Sequence, residues 1–561
     1  MTPKPLFVAR LAGSQSEMGT QHGALAAADA VRLFEFYRTM PERALAGDMG
    51  RASRFVVRSV ATAWQARLAA QRPPELAART RAFVDAVLAH SPDARHDPRI
   101  ARLTLATMDS LQNCVALAAR AGLGPFGQTA QARARVAAAP ACSTLIAWGS
   151  ATEDGELVFG RNFDFPGVGV WDAAPAFLVC APDRGQRYAF FTTRGADAPV
   201  VTVVNEAGLV LAPHTRWHRG VTWGGAMIVD VVHEIARRAE SLDDAIRIAR
   251  ERPASSSWGI AVGSAREKSA IVLELAGALV DVVRPRPGAE YLTCTNRYRT
   301  PALQAGEVAG SPAWAIHANR REHRLRTLAE GRDRPLAPRD VARFLGDRHD
   351  PEAPGTKRRL GGILAQPTNV HCVVVQPAAR RAWVGVDHAP VCEGAWAELA
   401  WQWDGPTGGW DQQGPGIATT LVDDFVAPHD PATRHVHEAV RAFERSHDVA
   451  AARASIERAI GIDPDDPSLR LAAAWLAIEG GAVDRAVVHV HAGLVLETER
   501  YRRGQLLAAG IRAAATTEPD QARRWRDDLA RLPGDGLDEL RASIDRPAHR
   551  LRTNLMMVDA T

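Results

Sequence analysis

Short apolar runs separated by turn residues dominate the middle of the chain, from Cys142 to about Cys392. Runs of this length that are rich in β-branched and aromatic residues are typical of strands. The predicted strands are 177–180, 188–192, 200–204, 209–212, 259–263, 270–274, 279–283, 370–376 and 382–386. Two stretches with helical spacing, 225–239 and 242–250, interrupt them. The middle of the chain is therefore predicted to be α+β.

The part of the chain before Cys142 has the apolar spacing of helices instead. The predicted helices are 52–68, 80–88 and 100–121. Nearer the start, Ser14 followed by Glu17 predicts a helix that begins with a capping box. The segment 126–139 is polar and lacks an apolar face. Such a segment is typical of an exposed linker.

After Pro428 the spacing is again helical to the end. The predicted helices here are 451–460, 469–478 and 483–496. They resemble tetratricopeptide-like helix pairs, but fewer than three full repeats are visible. A packed helical appendage is therefore favoured over a peptide-binding array. The preceding segment 401–410 is aromatic and Gly-rich, which predicts a loop or lid rather than a strand.

These patterns divide the 561 residues into four parts, in line with two or three domains for this length. Residues 1–141 form a helical N-terminal segment, and residues 142–396 form the core. Residues 397–430 form a linker or lid, and residues 431–561 form a C-terminal helical domain.

Composition narrows the class of function. Hydrophobic residues make up 46% and charged residues 24%, as in globular proteins, and the net charge of +4 gives no electrostatic case for nucleic acid. The six cysteines form no CxxC pair, so neither a zinc site nor a disulfide framework is predicted. No apolar run approaches the roughly 20 residues that span a bilayer, so no membrane partner is predicted. The first residues lack a signal core, which predicts a cytoplasmic protein unless a leader has been removed.

One stretch of the chain brings several side chains that could take part in catalysis close to a single turn. Two apolar runs, 145–148 and 157–159, flank an Asp-Gly turn, so a hairpin is predicted. The hairpin carries Cys142 at one end and returns Arg161 and Asp164 beside it at the other. A thiol within reach of a guanidinium and a carboxylate is a candidate nucleophile.

This arrangement resembles the Ntn (N-terminal nucleophile) hydrolases of the acyl-coenzyme A:isopenicillin-N acyltransferase family, relatives of penicillin V acylases and bile salt hydrolases. The family's Cys-Thr/Ser start and its Gly-Arg-Asn-x-Asp strand correspond to 142–144 and 160–164. The Gly-Ser…Glu-x-Gly-x-Gln-His-Gly string at 13–23 resembles the start of the family's precursors. The resemblance implies an αββα sandwich and self-cleavage between Ala141 and Cys142. The family usually has Gly before the Cys, and Ala141 is also small.

Two asparagines extend the resemblance. Asn205 begins an Asn-Glu-Ala-Gly-Leu string like the family turn whose Asn donates to the oxyanion. Asn296 lies in a Thr-Asn-Arg-Tyr string like the segment whose Asn supports the α-amine and the tetrahedral intermediate. The family's frequent His after that Asn is Arg297 here, which bears on specificity. Without the resemblance, an Asn before Glu-x-Gly is a common hairpin-turn residue.

The resemblance also implies the chemistry. Cleavage would free the α-amine of Cys142 as a base for its own thiol, Arg161 would favour the thiolate, and Asp164 would hold the amine and Arg161. The substrate would be a small-molecule acyl amide. Water or an acceptor would resolve the thioester, and an amine acceptor or an acyl-CoA would be a further partner. The two cleaved pieces would stay associated. No cofactor is implied.

Two other interpretations stay open. The core would be inactive and unprocessed in a helical-repeat interaction protein, or Cys142 would pair with His214 or His371 in an unprocessed Cys-His amidase. A metal site is not predicted, because the histidines near the core end have no ligand spacing. These are His349, His371 and His388. Four tryptophans are candidates for an acyl pocket or for the core: Trp171, Trp217, Trp223 and Trp258.

Overall fold

Two β-sheets form the centre of the protein in the computed structural model, which describes residues 3–45, 51–91, 98–121, 141–220, 222, 224–308, 312–353, 355–411, 417–545, 553–555 and 559–560. The strands are β1 (Phe7–Gly13), β2 (Ala141–Ala147), β3 (Val158–Asp164), β4 (Pro175–Pro182), β5 (Tyr188–Thr193), β6 (Thr202–Asn205), β7 (Leu209–Thr215), β8 (Ser257–Ser264), β9 (Ser269–Ala276), β10 (Leu279–Val283), β11 (Tyr291–Cys294), β12 (Asn369–Gln376), β13 (Arg381–Gly385), β14 (Trp396–Trp401), β15 (Gly408–Asp411) and β16 (Ile417–Val422). One sheet has nine strands in the order β10-β9-β8-β7-β6-β5-β4-β1-β15. The other has seven, in the order β11-β2-β3-β12-β13-β14-β16.

Helices precede, interrupt and follow the strands. They are α1 (Gln15–Leu25), α2 (Ala27–Leu45), α3 (Arg51–Ala70), α4 (Pro74–His90), α5 (Pro98–Arg102), α6 (Thr107–Ala121), α7 (Ile228–Arg238), α8 (Leu242–Glu251), α9 (Pro301–Gln304), α10 (Pro312–Glu330), α11 (Pro338–Leu345), α12 (Pro431–Ser446), α13 (Val449–Ile462), α14 (Pro467–Glu479), α15 (Val483–Leu496), α16 (Arg500–Ala514), α17 (Pro519–Arg531) and α18 (Leu537–Ser543). The predicted α+β class is confirmed. All the strands and helices predicted for the middle of the chain are present, with ends shifted by a few residues.

The apolar faces of the strands explain how these elements are layered. Phe177 and Phe191 of the nine-stranded sheet share one buried cluster with Phe159 and Val373 of the seven-stranded sheet. The inner faces of the two sheets therefore pack on each other. Helices α7 and α8 bury their apolar stripes on the outer face of the nine-stranded sheet. Helices α10 and α11 do the same on the seven-stranded sheet.

The N-terminal segment is not only helical, because β1 enters the nine-stranded sheet between β4 and β15. It runs parallel to β4, whereas its other neighbour is antiparallel. The predicted capping box is confirmed, since the Ser14 hydroxyl accepts from the Glu17 N–H and the Glu17 carboxylate accepts from the Ser14 N–H. The predicted helix 100–121 is broken into α5, a 3-10 turn and α6. The predicted linker 126–139 lies outside the described residues.

The predicted loop or lid after the core is wrong in part, because strands form there. Residues 408–411 form β15, which pairs with β1, and residues 417–422 form β16, which pairs with β14. An exposed sheet edge offers unpaired backbone groups, and these aromatic and β-branched stretches satisfy them. The predicted C-terminal helices correspond to α13, α14 and α15. Within the described part of the chain, no helix combines the length and apolarity that a bilayer crossing requires.

Candidate active site

The predicted hairpin is confirmed as the antiparallel pair β2–β3. Its register sets Cys142 opposite Phe163 and Ala141 opposite Asp164. Residues that alternate along a strand share a face, so Cys142 and Thr144 point the same way as Arg161 and Phe163 across the pair. The hairpin alone therefore sets the thiol and the guanidinium on one face, and it places Asp164 at the end of the same pair, opposite Ala141.

Cys142 is held from two sides. Its backbone N–H donates to Asn296 Oδ1 at 2.9 Å, and its Sγ accepts from Arg161 Nη2 at 3.5 Å. The side chain is 1% exposed. Burial raises the pKa of the thiol, and the charge and hydrogen bond of Arg161 oppose this rise. The site is thus closed, with a cation next to the sulfur.

Arg161 is itself fixed by the opposite sheet. Its Nη2 donates to the Pro213 carbonyl of β7, and its Nη1 donates to Thr202 Oγ1 of β6 at 3.5 Å. The guanidinium therefore crosses from the seven-stranded to the nine-stranded sheet beside the Cys142 sulfur. A planar donor fork with several bonds has little freedom to leave that position.

Asp164 lies next to the predicted scissile bond, opposite Ala141. Its Oδ1 accepts from Asn369 Nδ2 at 2.9 Å, and its buried Oδ2 has no partner among the described residues. Burial raises the pKa of this carboxyl to about 7, although Arg321, Asn369 and Arg161 act in the opposite direction. The free oxygen is a place for a donor such as an amine.

Asn296 connects the two sheets at Cys142. Its Nδ2 donates to the Thr215 carbonyl of β7 at 2.9 Å, while its Oδ1 accepts from the Cys142 N–H. It lies two residues after the end of β11, the strand paired with β2. Its amide orientation is set by these bonds, so Oδ1 faces the nitrogen that cleavage would convert to an amine.

Arg321 belongs to the site and was missed from the sequence. Its Nη1 donates to the Cys142 carbonyl at 2.7 Å and to Ser143 Oγ at 2.9 Å, and its Nη2 donates to Asn296 Oδ1 at 2.9 Å. The guanidinium is buried. One signal was present in the sequence. Trp314 and Leu325 define an apolar stripe on helix α10, and Arg321 falls on it, where a charge needs a buried partner.

Asn205 is not brought to the site. Its Nδ2 donates to the carbonyls of Ala236 and Ala239 at 3.1 and 2.8 Å, and its Oδ1 accepts from the Leu209 N–H at 3.0 Å. It therefore ends helix α7 and closes the β6–β7 turn. Thr202, the residue of β6 that contacts Arg161, is about 10 Å away along the strand. These contacts fit the hairpin-turn interpretation and do not support an oxyanion donor.

Of the two histidines considered as partners for Cys142, His214 bonds elsewhere, and the Nε2 of His371 is buried with no partner among the described residues. His214 Nδ1 lies 3.1 Å from the Ala212 carbonyl, so it carries the proton, and Nε2 accepts from Thr144 Oγ1 at 3.0 Å. Burial and the nearby Arg161 keep the pKa of His214 well below its usual value. His371 lies on the far side of β3, opposite Phe163, and burial lowers its pKa to about 3. Neither contact supports a Cys-His pair.

An aromatic wall adjoins Cys142. Phe163 stacks on Phe165 with ring centres 4.8 Å apart, and Trp171 packs edge-on against Phe163 at 5.5 Å. Tyr37 of α2 closes the wall, 6.1 Å from Trp171. We call Tyr37, Phe163, Phe165 and Trp171 the aromatic wall. Because Phe163 stands opposite Cys142, an apolar group bound at the sulfur would contact this surface.

The other tryptophans proposed for the pocket differ from Trp171. Trp258 donates to Asp109 at 3.0 Å, a bond that fixes it in the core. Trp217 shares the buried cluster of Cys142 and the aromatic wall. Trp223 lies outside the described residues.

No three His, Cys, Asp or Glu side chains in the described ranges are grouped as metal ligands.

One family model matches a part of the chain that includes strand β3 but begins after Cys142. Residues 150–389 match the family described as acyl-coenzyme A:6-aminopenicillanic acid acyl-transferase, a range that includes Arg161, Asp164 and Asn296. A solved structure, the Caenorhabditis elegans N-acylethanolamine-hydrolyzing acid amidase (NAAA) ortholog, aligns at 14% identity with a TM-score of 0.30, over 42% of this chain and 93% of that one. No curated protein matches the chain. Segment 150–389, less than half of the chain, is therefore similar to the acyl-coenzyme A:6-aminopenicillanic acid acyl-transferase family, which supports the predicted resemblance to the Ntn hydrolases.

Proposed function

We propose that the protein is a self-activating cysteine amidohydrolase or acyltransferase that cleaves a linear acyl amide through a thioester on Cys142. The observation that carries the proposal is the double contact of Cys142. Arg161 donates to its sulfur, and Asn296 accepts from its nitrogen. An enzyme that uses the sulfur as nucleophile and the nitrogen as base needs both atoms fixed at once.

Activation would occur at the bond between Ala141 and Cys142. The Cys142 sulfur attacks the Ala141 carbonyl carbon, the chain transfers from nitrogen to sulfur, and water hydrolyses the thioester. The products are a carboxylate at residue 141 and a free amine at residue 142. Asp164 Oδ2, which has no partner among the described residues, would then accept from this amine, and Asn296 Oδ1 would remain its second acceptor.

Turnover would repeat the attack on a substrate amide. The amine takes the thiol proton, the sulfur adds to the amide carbon, and the oxyanion collapses as the leaving amine takes the proton back. General acid–base transfer of this kind contributes about 10²- to 10⁴-fold. Water or an acceptor amine then resolves the thioester and restores the thiol. The aromatic wall fits an apolar acyl group, so the proposed substrate is a small-molecule acyl amide.

The architecture implied by this function is an αββα sandwich. The two packed sheets with helices on both outer faces support it. We propose that residues 1–141 become the smaller subunit and residues 142–396 the catalytic core, followed by the tetratricopeptide-like helices of 431–561. Neither a nucleic acid nor a membrane is a proposed partner.

Self-cleavage is tested by the intact mass of the purified protein. We expect two polypeptides, 1–141 and 142–561, because Arg161 lies at the sulfur and Asn296 at the nitrogen of Cys142. Cys114→Ala is the matched control, since this thiol on α6 lies outside the site, and it should cleave like the wild type. A single chain of 561 residues after prolonged incubation would contradict the proposal.

The two pieces should remain together under native conditions. Strand β1 lies inside the nine-stranded sheet, and Arg79 of α4 forms a buried ion pair with Asp197 of the core at 2.7 Å. His22 of α1 contacts the same carboxylate at 3.0 Å. Breaking a buried pair costs several kcal/mol, typically about 3 to 5. Native mass spectrometry should therefore report one complex of both pieces.

Arg321 should be needed for turnover. We expect Arg321→Lys to lower kcat roughly 10²-fold, because Lys cannot bond the Cys142 carbonyl and Asn296 at the same time. The matched control is Arg324→Lys on the same helix, whose guanidinium bonds Asp347 at 2.7 Å and not the site. Steady-state kinetics on a chromogenic acyl amide measures both. Equal losses in the two variants would contradict a role of Arg321 at the site.

A further inference from the structure

Helix α10 has two polar stripes that face different parts of the protein. Successive residues on a helix point about 100° apart, so Arg320 and Arg321 cannot face the same way. Arg321 points to Cys142, on the side where Ala318 accepts from Thr295 through its carbonyl. His317 and Arg320 point to the C-terminal helices. A shift of helix α10 at its contacts with the C-terminal helices would therefore also move Arg321 relative to Cys142.

The C-terminal helical domain contacts the stripe of helix α10 that carries His317 and Arg320. Glu499, the N-cap of α16, forms an ion pair with Arg320, and Arg502 in the first turn of α16 contacts His317. All four side chains are buried. The Glu499 carboxylate also accepts from the N–H groups of Tyr501 and Arg502 at 2.8 and 2.7 Å, so its position is fixed by the helix that it caps.

The same domain also supports the aromatic wall. Glu444 of α12 accepts from the N–H groups of Gly167 and Val168, each at 3.1 Å. These residues lie in the loop between Phe165 and Trp171, two members of the wall. A carboxylate that bonds two successive amides fixes the course of this loop. One domain thus contacts the supports of both the guanidinium and the wall beside Cys142.

We propose that the C-terminal helical domain is a positioning element of the active site, with Glu499 acting on Arg321 through Arg320 and Glu444 acting on the aromatic wall through residues 167–168. This inference rests on the proposed function of Cys142. It assigns the two carboxylates different effects. Glu499 sets the rate of the chemical step, and Glu444 sets the affinity for the acyl group.

The test compares three neutralising variants of the domain. We expect Glu499→Gln to lower kcat roughly 10-fold or more with KM unchanged, because a misplacement of about 1 Å at the site is costly. Glu444→Gln should raise KM for an apolar acyl amide about 10-fold, equal to about 1.4 kcal/mol of lost binding, with kcat unchanged. Asp463→Asn is the matched control. It breaks another ion pair between this domain and the core, with Arg359, and touches neither support.

Double variants distinguish a positioning role of the C-terminal helical domain from a general loss of stability. In an Arg321→Lys background, Glu499→Gln should cost much less than in the wild type, since both changes act on the same guanidinium. Glu444→Gln and Asp463→Asn should keep their full effects there. Arg320→Gln breaks the pair from the other side and also removes the contact of Arg320 with Asp350 at 3.5 Å, so it should lower kcat at least as much as Glu499→Gln and covers the case that the Glu499 variant does not fold.

The reactivity of the Cys142 thiol can be measured without substrate turnover, so it tests the positioning role independently of the proposed reaction. The pH profile of Cys142 alkylation by iodoacetamide, followed by peptide mass, should move to higher pH in Glu499→Gln, because Arg321, a second cation whose charge interacts with the Cys142 thiolate, is displaced. The inference is overturned if Glu499→Gln and Arg320→Gln match Asp463→Asn in both alkylation and kcat. If the alkylation profile moves but the wild type hydrolyses no acyl amide, the proposed reaction fails and the positioning role stands.

Discussion

Replacing Cys142 with alanine is expected to abolish amide turnover and to leave the chain in one piece. Both reactions of the proposed function begin with attack by the same sulfur, and no second nucleophile occupies its position between Arg161 and Asn296 in the described structure. Loss of a nucleophile in comparable hydrolases lowers kcat by roughly 10⁶-fold. Kinetics on an acyl amide and the intact mass of the variant measure the two effects.

A conservative variant sharpens this result. Cys142→Ser keeps a nucleophilic atom, but a smaller one, and it removes the acidic thiol, so slow cleavage with little turnover is expected. The control is Cys180→Ala, which removes a buried thiol beside Arg79, away from the site. It should retain activity if the protein folds. Turnover by Cys142→Ala near the wild-type rate would refute every role proposed for this residue.

The hairpin and its charges were predictable because they are local. The short connection 148–157, which contains the Asp-Gly turn, makes β2 and β3 an antiparallel pair, and a period of two then fixes which side chains share a face. Cys142, Arg161 and Asp164 lie within this one unit, so the sequence is enough to bring them together. The remaining strands of the middle segment were predicted from short continuous apolar runs, since most of them are buried on both faces.

The missed and misplaced residues depend on contacts between distant parts of the chain. Arg321 reaches Cys142 across 179 residues of sequence, through a helix that the hairpin does not specify. Asn205 sits in a string that fits both a turn and an oxyanion donor, and the position of α7 decides between them. The path of β1 into the nine-stranded sheet is also set by distant pairing. No local pattern contains that information.

Asp164→Asn should make the uncleaved protein more stable at alkaline pH while it inactivates the enzyme. Burial raises the pKa of Asp164 from 3.8 to about 7. Between these values the unfolded chain ionises while the folded chain keeps its proton, so the folded state loses stability as pH rises through this window. Above pH 7 the folded state carries the full free-energy cost of ionising the buried Asp164 carboxyl. A shift of about 3 pKa units corresponds to at most about 4 kcal/mol, which Asn does not incur.

The measurement compares Cys142→Ala with the double variant Cys142→Ala, Asp164→Asn, so that both chains stay intact. Urea denaturation followed by tryptophan fluorescence should give similar midpoints at pH 4 and a higher midpoint for the double variant at pH 8. Equal pH dependence of the two proteins would show that Asp164 is ionised at little cost. In the Cys142-containing protein, Asp164→Asn should lower kcat on the order of 10⁴-fold, as when the group that orients a base is lost.

The two effects have one cause. In the intact chain Asp164 has a buried oxygen with no described partner and a pKa near neutrality. In the proposed product the new ammonium group of Cys142 lies beside it, and an opposite charge at that distance lowers the pKa of a carboxyl. Cleavage would then remove the penalty that the precursor carries. The cleaved wild type should therefore lose less stability between pH 4 and pH 8 than the Cys142→Ala precursor does, and a cleaved protein with the same loss as the precursor would place the amine away from Asp164.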